Sequence, residues 1–232
     1  MIQSFDPIKS VLPPPQLRIW PELQPTTTLG LVLYGGTAIA LRLGHRSSVD
    51  FDFFTSAPLD KKAIRDRLPF VHRGEVTQED PNTLAVITHP DGFEKSDVRV
   101  SFFGGLRFGR TGTPERTKDG VLDVASLDDL MATEVVVILN RVECKDYRDI
   151  AAMISAGVRL DKGLAAAALM HPHAFQPQES LRALTFFEGG DLGKLARSER
   201  TVLIEASRHV RDLPPPAPLT PYLGIEPLPS EK

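Results

Sequence analysis

Leu31-Val32-Leu33-Tyr34-Gly35-Gly36-Thr37-Ala38-Ile39-Ala40-Leu41, followed by Ser47-Ser48-Val49-Asp50-Phe51-Asp52-Phe53-Phe54, is the stretch on which the fold turns. The unbroken apolar run from Leu29 to Tyr34 predicts a strand buried on both faces. Gly35-Gly36 reads as a turn, and Ala, Ile and Leu at helical spacing predict a helix from Thr37 to Leu43, with Gly44 as its stop. A second strand is expected from Ser48 to Phe54. Its alternation places Val49, Phe51 and Phe53 on one face and Asp50, Asp52 and Phe54 on the other.

Two glycines after a buried strand let the backbone approach a ligand closely, and the helix behind them presents unpaired N–H groups and the positive end of its dipole. That makes a phosphate cradle. Asp50 and Asp52 project from one face with Cα atoms about 6.5 to 7 Å apart. Like charges that close cost energy unless a cation offsets them, and Mg²⁺ takes one or two carboxylates together with water and phosphate oxygens. Each feature alone also has a plain structural reading: a tight connection for the diglycine, a solvated strand face for Asp-x-Asp. Together they supply phosphate and metal functions one strand apart, as in-line nucleotidyl transfer requires.

On the N-terminal side, residues 1–28 are rich in proline. Pro13-Pro14-Pro15 opens a segment with Leu17, Trp20 and Leu23 at helical spacing, a short docking helix. On the C-terminal side, Ser56 with Pro58 predicts a helix to Leu68 that Pro69 ends. Strands are expected near 71–77, 82–89 and 97–103, the last with Asp97, Arg99, Ser101 and Phe103 pointing one way. Residues 104–120 hold five glycines and read as a mobile loop bordering the site; an open groove lined by Arg107, Arg110, Arg116 and Lys118 would favour RNA as acceptor, and a small enclosed pocket a small molecule. A short strand at 121–124 precedes Ser126-Leu127-Asp128-Asp129, a capping-box spacing with Asp in place of Glu or Gln. Helices follow to about Val142, from Lys145 to Ser155, and at 163–170, 178–188 and 195–211. A composition shift near 158–162 divides an α/β core, 29–157, from a helical region, 158–211. The tail, 212–232, has seven prolines and is expected to be extended and partly mobile.

With 27 Lys and Arg against 30 Asp and Glu, the net charge of -3 provides no global basic field for nucleic acid. One cysteine, Cys144, excludes an internal disulfide framework and fits a reducing cytoplasm. No apolar run approaches the roughly 20 residues needed to span a bilayer, and no signal-like segment opens the chain. A soluble cytoplasmic protein is expected.

Residues Leu33 to Phe54 resemble the signature of the AbiEii/AbiGii toxin family, a branch of the DNA polymerase beta-like nucleotidyltransferase superfamily found in bacterial type IV toxin-antitoxin and phage-defence systems. Val124-Ala125-Ser126-Leu127-Asp128-Asp129-Leu130 and Lys145-Asp146-Tyr147-Arg148-Asp149-Ile150 resemble its later motifs. The resemblance implies an α+β fold: a mixed, mainly antiparallel sheet flanked by helices, with a helical C-terminal region. It also implies that Gly35, Gly36 and Thr37 bind an NTP triphosphate and that Asp50 and Asp52 hold two Mg²⁺. Arg46 is expected at a phosphate, with Lys145, Asp146 and Asp149 in the nucleotide pocket; His45 reads as a loop-packing residue. The implied reaction moves a nucleoside monophosphate from NTP to a hydroxyl of RNA, tRNA included, or of protein, with a cognate antitoxin as partner. Two positions depart from the family pattern. Its third carboxylate falls on Ser101, with Asp97 as the substitute on the same polar face, and Glu134 stands where a lysine is common. Helical spacing puts Glu134 with Leu127, Leu130, Ile138 and Arg141, so it is not expected to be freely solvated. These departures keep open a degraded member that binds nucleotide or protein without turnover. A small-molecule nucleotidyltransferase is the third possibility.

Overall fold

The computed structural model describes residues 2–93 and 95–225. Contacts divide the chain into two units, one of residues 1–125 with the chain from Thr220 onward, the other Ser126–Leu219. The composition shift at 158–162 falls inside the second unit.

The first unit contains the sheet. β1 (Ser4–Phe5), α1 (Pro14–Ile19) and a 3₁₀ stretch, Trp20–Leu29, lead into β2 (Val32–Tyr34), α2 (Gly35–Leu43) and β3 (Asp50–Phe54). Then come α3 (Lys61–Arg67), α4 (Pro69–Arg73), β4 (Glu75–Asp80), β5 (Thr83–Thr88), β6 (Val98–Phe103), β7 (Glu115–Thr117) and β8 (Asp123–Val124). Among the described residues the eight strands lie in the order β1-β7-β8-β2-β3-β6-β5-β4. Antiparallel neighbours outnumber parallel ones, and β3 runs parallel to β6 in the middle of the sheet. The mixed, helix-flanked sheet is the fold class the motifs imply.

One face of that sheet is core. Leu33, Phe51, Phe53, Leu84, Val86, Val98, Val100 and Phe102 are fully buried on or beside it, and the rings of Phe53 and Phe102 stack with centroids 5.6 Å apart. Burial of each such side chain contributes about 1.5–3 kcal/mol.

Several element boundaries differ from the sequence expectation. The helix expected from Ser56 starts at Lys61, because the preceding backbone is used elsewhere: Ala57 O accepts from Gly105 N at 2.7 Å and Leu59 N donates to Asn82 Oδ1 at 3.1 Å. Asp60 caps it, accepting from Ala63 N at 2.9 Å. Pro69 opens α4 instead of only ending α3, since proline's missing N–H is no loss at a first helical position, and Leu68 before it is extended, with φ -111° and ψ 97°. A strand therefore begins only at Glu75. The glycine-rich stretch 104–120 is not a bare loop: β7 pairs with both β1 and β8, and Arg110 forms a two-bond bridge with Thr220, at 2.9 and 2.8 Å.

In the N-terminal segment Trp20 and Leu23 are buried, but Leu17, grouped with them by helical spacing, is 39% exposed and Ile19 is buried instead, because α1 ends at Ile19 and a 3₁₀ stretch with a different period follows. The segment also adds the edge strand β1. The described part of the tail is held down at its far end, where Leu223 is fully buried and the Arg110 guanidinium reaches Gly224 O at 3.4 Å. Residues 226–232 of the expected tail lie outside the described residues.

The second unit is helical: α5 (Leu127–Asn140), α6 (Cys144–Ser155), α7 (Leu160–Met170), α8 (Pro177–Ala183) and α9 (Arg197–His209). Ser126 caps α5 as the spacing predicts, accepting from Asp129 N at 3.1 Å. Its hydroxyl donates to Asp129 Oδ2 at 2.7 Å, so Asp, one carbon shorter than Glu, meets the capping hydroxyl. α7 packs closely on α5 at Gly163, where an added Cβ would lie 2.2 Å from Met131 Cγ. Among the described residues no helix is long and apolar enough to cross a membrane.

Candidate active site

The sheet face opposite the core carries the acidic pair. Asp50 and Asp52 are half-exposed, while Phe51 and Phe53 between and beyond them are fully buried. Val49 does not follow the predicted alternation: it precedes β3 and is 48% exposed. The register sets Tyr34 of β2 against Asp52, and sets Arg99 and Ser101 of β6 beside Asp50 and Asp52 respectively. Paired residues share a face, so Asp50, Asp52, Arg99 and Ser101 form one patch.

The diglycine abuts that patch. Gly35 has φ +69°, and a Cβ placed on it would lie 3.4 Å from Asp52 Oδ2. Gly35 therefore serves as turn and as first residue of α2 at once, two residues earlier than the Thr37 start read from the sequence. Tyr34 gives α2 no side-chain cap, and orphan N–H groups at a helix start attract anions. Thr37 is buried and its hydroxyl is already engaged: it lies 2.7 Å from Ser48 Oγ and donates to the carbonyl oxygen of Asp50. That side chain ties α2 to β3. Any phosphate contact by Thr37 falls to its backbone N–H. No spacing rule singled out Ser48, since a serine two residues before an Asp-x-Asp has no signature of its own.

Around the acidic face, Tyr34 stacks on Phe54 with centroids 4.8 Å apart, and Phe103 and Phe108 meet Phe54 edge-on at 5.5 and 6.2 Å. Arg46 is half-buried and spends Nη1 on Ser47 O at 3.0 Å. Asp97 is not brought beside Asp52. It precedes β6 by one residue, four positions from Ser101 and hence about 13 Å along the strand, and its carboxylate lies 3.5 Å from His89 Nδ1.

The donor set fits a divalent cation of the Mg²⁺ kind. Among the described residues no group of three or more His, Cys, Asp or Glu side chains converges as a metal cage. Two carboxylates on one face with a phosphate cradle against them suit an ion that keeps water and substrate oxygens in its shell.

The helical unit holds the other predicted residues. Asp146 and Asp149 are buried, at 2% and 1% exposure. Arg141 grips Asp146 with two parallel bonds, Nε to Oδ2 at 2.8 Å and Nη2 to Oδ1 at 2.9 Å. This hydrogen-bonded carboxylate raises the guanidinium's pKa further above its ordinary value. Lys145 is exposed and pairs with Glu143 at 2.8 Å. Glu134 is buried, at 3% exposure, and adds to the negative field at Arg141, in line with its expected helical face. Cys144 is buried too, and that burial pushes its thiol pKa up, away from reactivity.

The basic groove read from residues 107–118 is not an open array. Arg110 is 7% exposed and donates to Gly112 O at 2.8 Å. Arg116 is bidentate to Asp123, at 2.7 and 3.0 Å, and Lys118 pairs with Asp6. Arg110 and Arg116 are structural, the first tied to Gly112 and Gly224, the second to Asp123 within β7 and β8; the Lys118 pair with Asp6 lies in solvent, and Arg107 is exposed with no such tie among the described residues.

Comparison with known proteins gives a family and a fold. The family model described as nucleotidyl transferase AbiEii toxin, type IV TA system, matches residues 22–215. An uncharacterized protein of Aquifex aeolicus (strain VF5), aq_aa25, is 31% identical over 134 residues, covering 55% of this chain and 61% of that protein, so the match spans less than two thirds of the relative's length. MenT4, a nucleotidyltransferase toxin of Mycobacterium tuberculosis H37Rv, superposes with a TM-score of 0.56 over 86% of this chain and 82% of its own, at 15% identity, a likeness of fold.

Proposed function

The chain belongs to the AbiEii nucleotidyltransferase toxin family, and from that premise we propose that it moves a nucleoside monophosphate from an NTP to a hydroxyl of RNA or protein, with Mg²⁺, as the toxin of a cytoplasmic type IV toxin-antitoxin or phage-defence pair. The observation that carries this reading is the Gly35 backbone set against Asp52 Oδ2, beside Asp50 on the same face.

In this reading the Gly35 and Gly36 N–H groups at the start of α2 take the triphosphate, and the absence of a Cβ lets it approach Asp52. Asp50 and Asp52 hold the metal, which when bound neutralises phosphate charge and polarises the α-phosphorus. The acceptor oxygen bonds to that phosphorus as the bond to the pyrophosphate oxygen breaks. Ser101 beside Asp52 cannot take the acceptor's proton at neutral pH, so the proton passes to an Asp52 carboxylate oxygen. Arg46 and Lys145 are proposed as phosphate contacts. Asp149 is proposed for the nucleotide pocket, and Asp146 acts there through Arg141, which it orients.

The test is transfer of label from each NTP in turn into total RNA and protein. Label in one acceptor class, dependent on Mg²⁺ and abolished by Asp50→Ala or Asp52→Ala, is the expected result. A second reading, nucleotide binding without turnover, is favoured by Ser101 in the place of a carboxylate and by the buried Glu134. Calorimetric NTP binding without label transfer would support it.

A further inference from the structure

We propose that the acidic pair engages a single divalent cation and that Arg99 takes the place of a second cation on the triphosphate. This rests on the nucleotidyltransferase reading and deepens it.

The register carries the argument. Ser101 sits beside Asp52 on the same face and is neutral, 6% exposed. One pair further along, Arg99 sits beside Asp50. Arg99 is exposed, although its neighbours in sequence Val98 and Val100 are fully buried in the core. Among the described residues its guanidinium enters no hydrogen bond or ion pair. The nearest other acid on its strand face, Asp97, is turned to His89.

Charge balance ties Ser101 to Arg99. Three carboxylates with two divalent cations leave one net positive charge facing a triphosphate. Two carboxylates with one divalent cation and one guanidinium leave the same. Ser101 removes the ligand that a second cation needs, and Arg99, on the same strand two residues earlier, replaces that cation's charge. A guanidinium suits the role because its planar fork bonds two phosphate oxygens at once and it stays ionised at any pH the protein meets. No bond to carbon or phosphorus depends on it directly; Arg99 orients and neutralises phosphate.

Mn²⁺ reports the difference without turnover. The full chain is equilibrated with a saturating non-hydrolysable NTP analogue and Mn²⁺, and bound Mn²⁺ is counted by electron paramagnetic resonance. One Mn²⁺ per bound analogue is expected, rising to two in Ser101→Asp. Arg99→Ala keeps the count at one and weakens analogue binding about 10- to 100-fold, the range of a charge-assisted phosphate contact, while Arg99→Lys restores part of it. Two Mn²⁺ on the unaltered chain overturns the inference and leaves the nucleotidyltransferase reading standing; so does Arg99→Ala with unchanged analogue affinity. No Mn²⁺ and no analogue bound overturns both.

Discussion

Two pairs of aspartates share a face of their element, Asp50 and Asp52 on β3 and Asp146 and Asp149 on α6, and they have opposite surroundings. The strand pair is half-exposed; the helix pair is buried, with Asp146 clamped by Arg141. A buried carboxylate needs a permanent counter-charge, and Arg141 supplies it to Asp146. A half-exposed pair of like charges against a glycine turn is open to solvent and gains when a divalent cation binds. The difference separates a site that binds from a cluster that positions.

The largest expected effect breaks the strand pair. Asp50→Ala or Asp52→Ala should lower transfer by about 10²-fold or more, in line with loss of one transition-state charge contact. Because both side chains are half-exposed, the stability change should stay within about 0.5 kcal/mol. A label assay and a urea melt on the same preparations check both halves. Normal transfer by either variant would remove the acidic pair from the chemistry.

The helix pair should respond the other way. Arg141→Ala leaves Asp146 buried without its bidentate partner, a loss of about 3–5 kcal/mol for a fully buried pair. Arg141 is 49% exposed, so solvent screening reduces this to about 2 kcal/mol. Denaturant unfolding reads it directly. A change below about 0.5 kcal/mol, within the range of a plain surface substitution, would mean that the clamp is not structural.

These contrasts also mark what the sequence could carry. Period-two alternation placed Asp50 and Asp52 opposite Phe51 and Phe53, and the capping spacing at Ser126 was legible, because both are short-range rules acting on neighbours in the chain. Asp146 and Asp149 read equally well as a shared face, yet nothing local says that the face is buried, since burial there depends on residues such as Arg141 and on packing at long range. The same limit hid β7. Its strand exists because β1 and β8 supply hydrogen-bond partners, so Arg116 looked like part of a basic loop while serving as a structural tie to Asp123, as Arg110 does to Gly112 and Gly224. The start of α3 moved for a related reason: Asn82, remote in sequence, takes the Leu59 N–H. Ser101 and Arg99 were visible as a polar strand face, but only the pairing with β3 shows which aspartate each accompanies.

A smaller effect tests how closely the turn meets the acidic face. Gly35 lies at φ +69°, where an L side chain costs about 1–2 kcal/mol. Gly35→Ala should lose that much stability. Its Cβ would also stand 3.4 Å from Asp52 Oδ2, in ordinary contact distance but inside the space proposed for phosphate. Nucleotide affinity should therefore fall along with stability, measurable by calorimetry beside thermal unfolding. Gly30→Ala provides the control: Gly30 has φ +65° with nothing within 4 Å of an added Cβ, so it should lose stability alone. Equal nucleotide binding by both variants would detach the turn from the ligand.

The smallest effect separates side chain from backbone at Thr37. Its hydroxyl is shared with Ser48 Oγ and the Asp50 carbonyl, so Thr37→Val, close in shape, should cost about 1 kcal/mol through the lost bonds, and Thr37→Ser should restore most of it. Neither change touches the backbone N–H at the start of α2. If phosphate is held by that N–H, the KM for NTP in Thr37→Val should stay within about threefold of the unaltered chain, under 1 kcal/mol of binding, with kcat reduced only as far as Asp50 shifts. A tenfold rise in KM that Thr37→Ser reverses would instead put the hydroxyl on the substrate, and Thr37 would then belong with Asp50 and Asp52 among the side chains that meet the ligand.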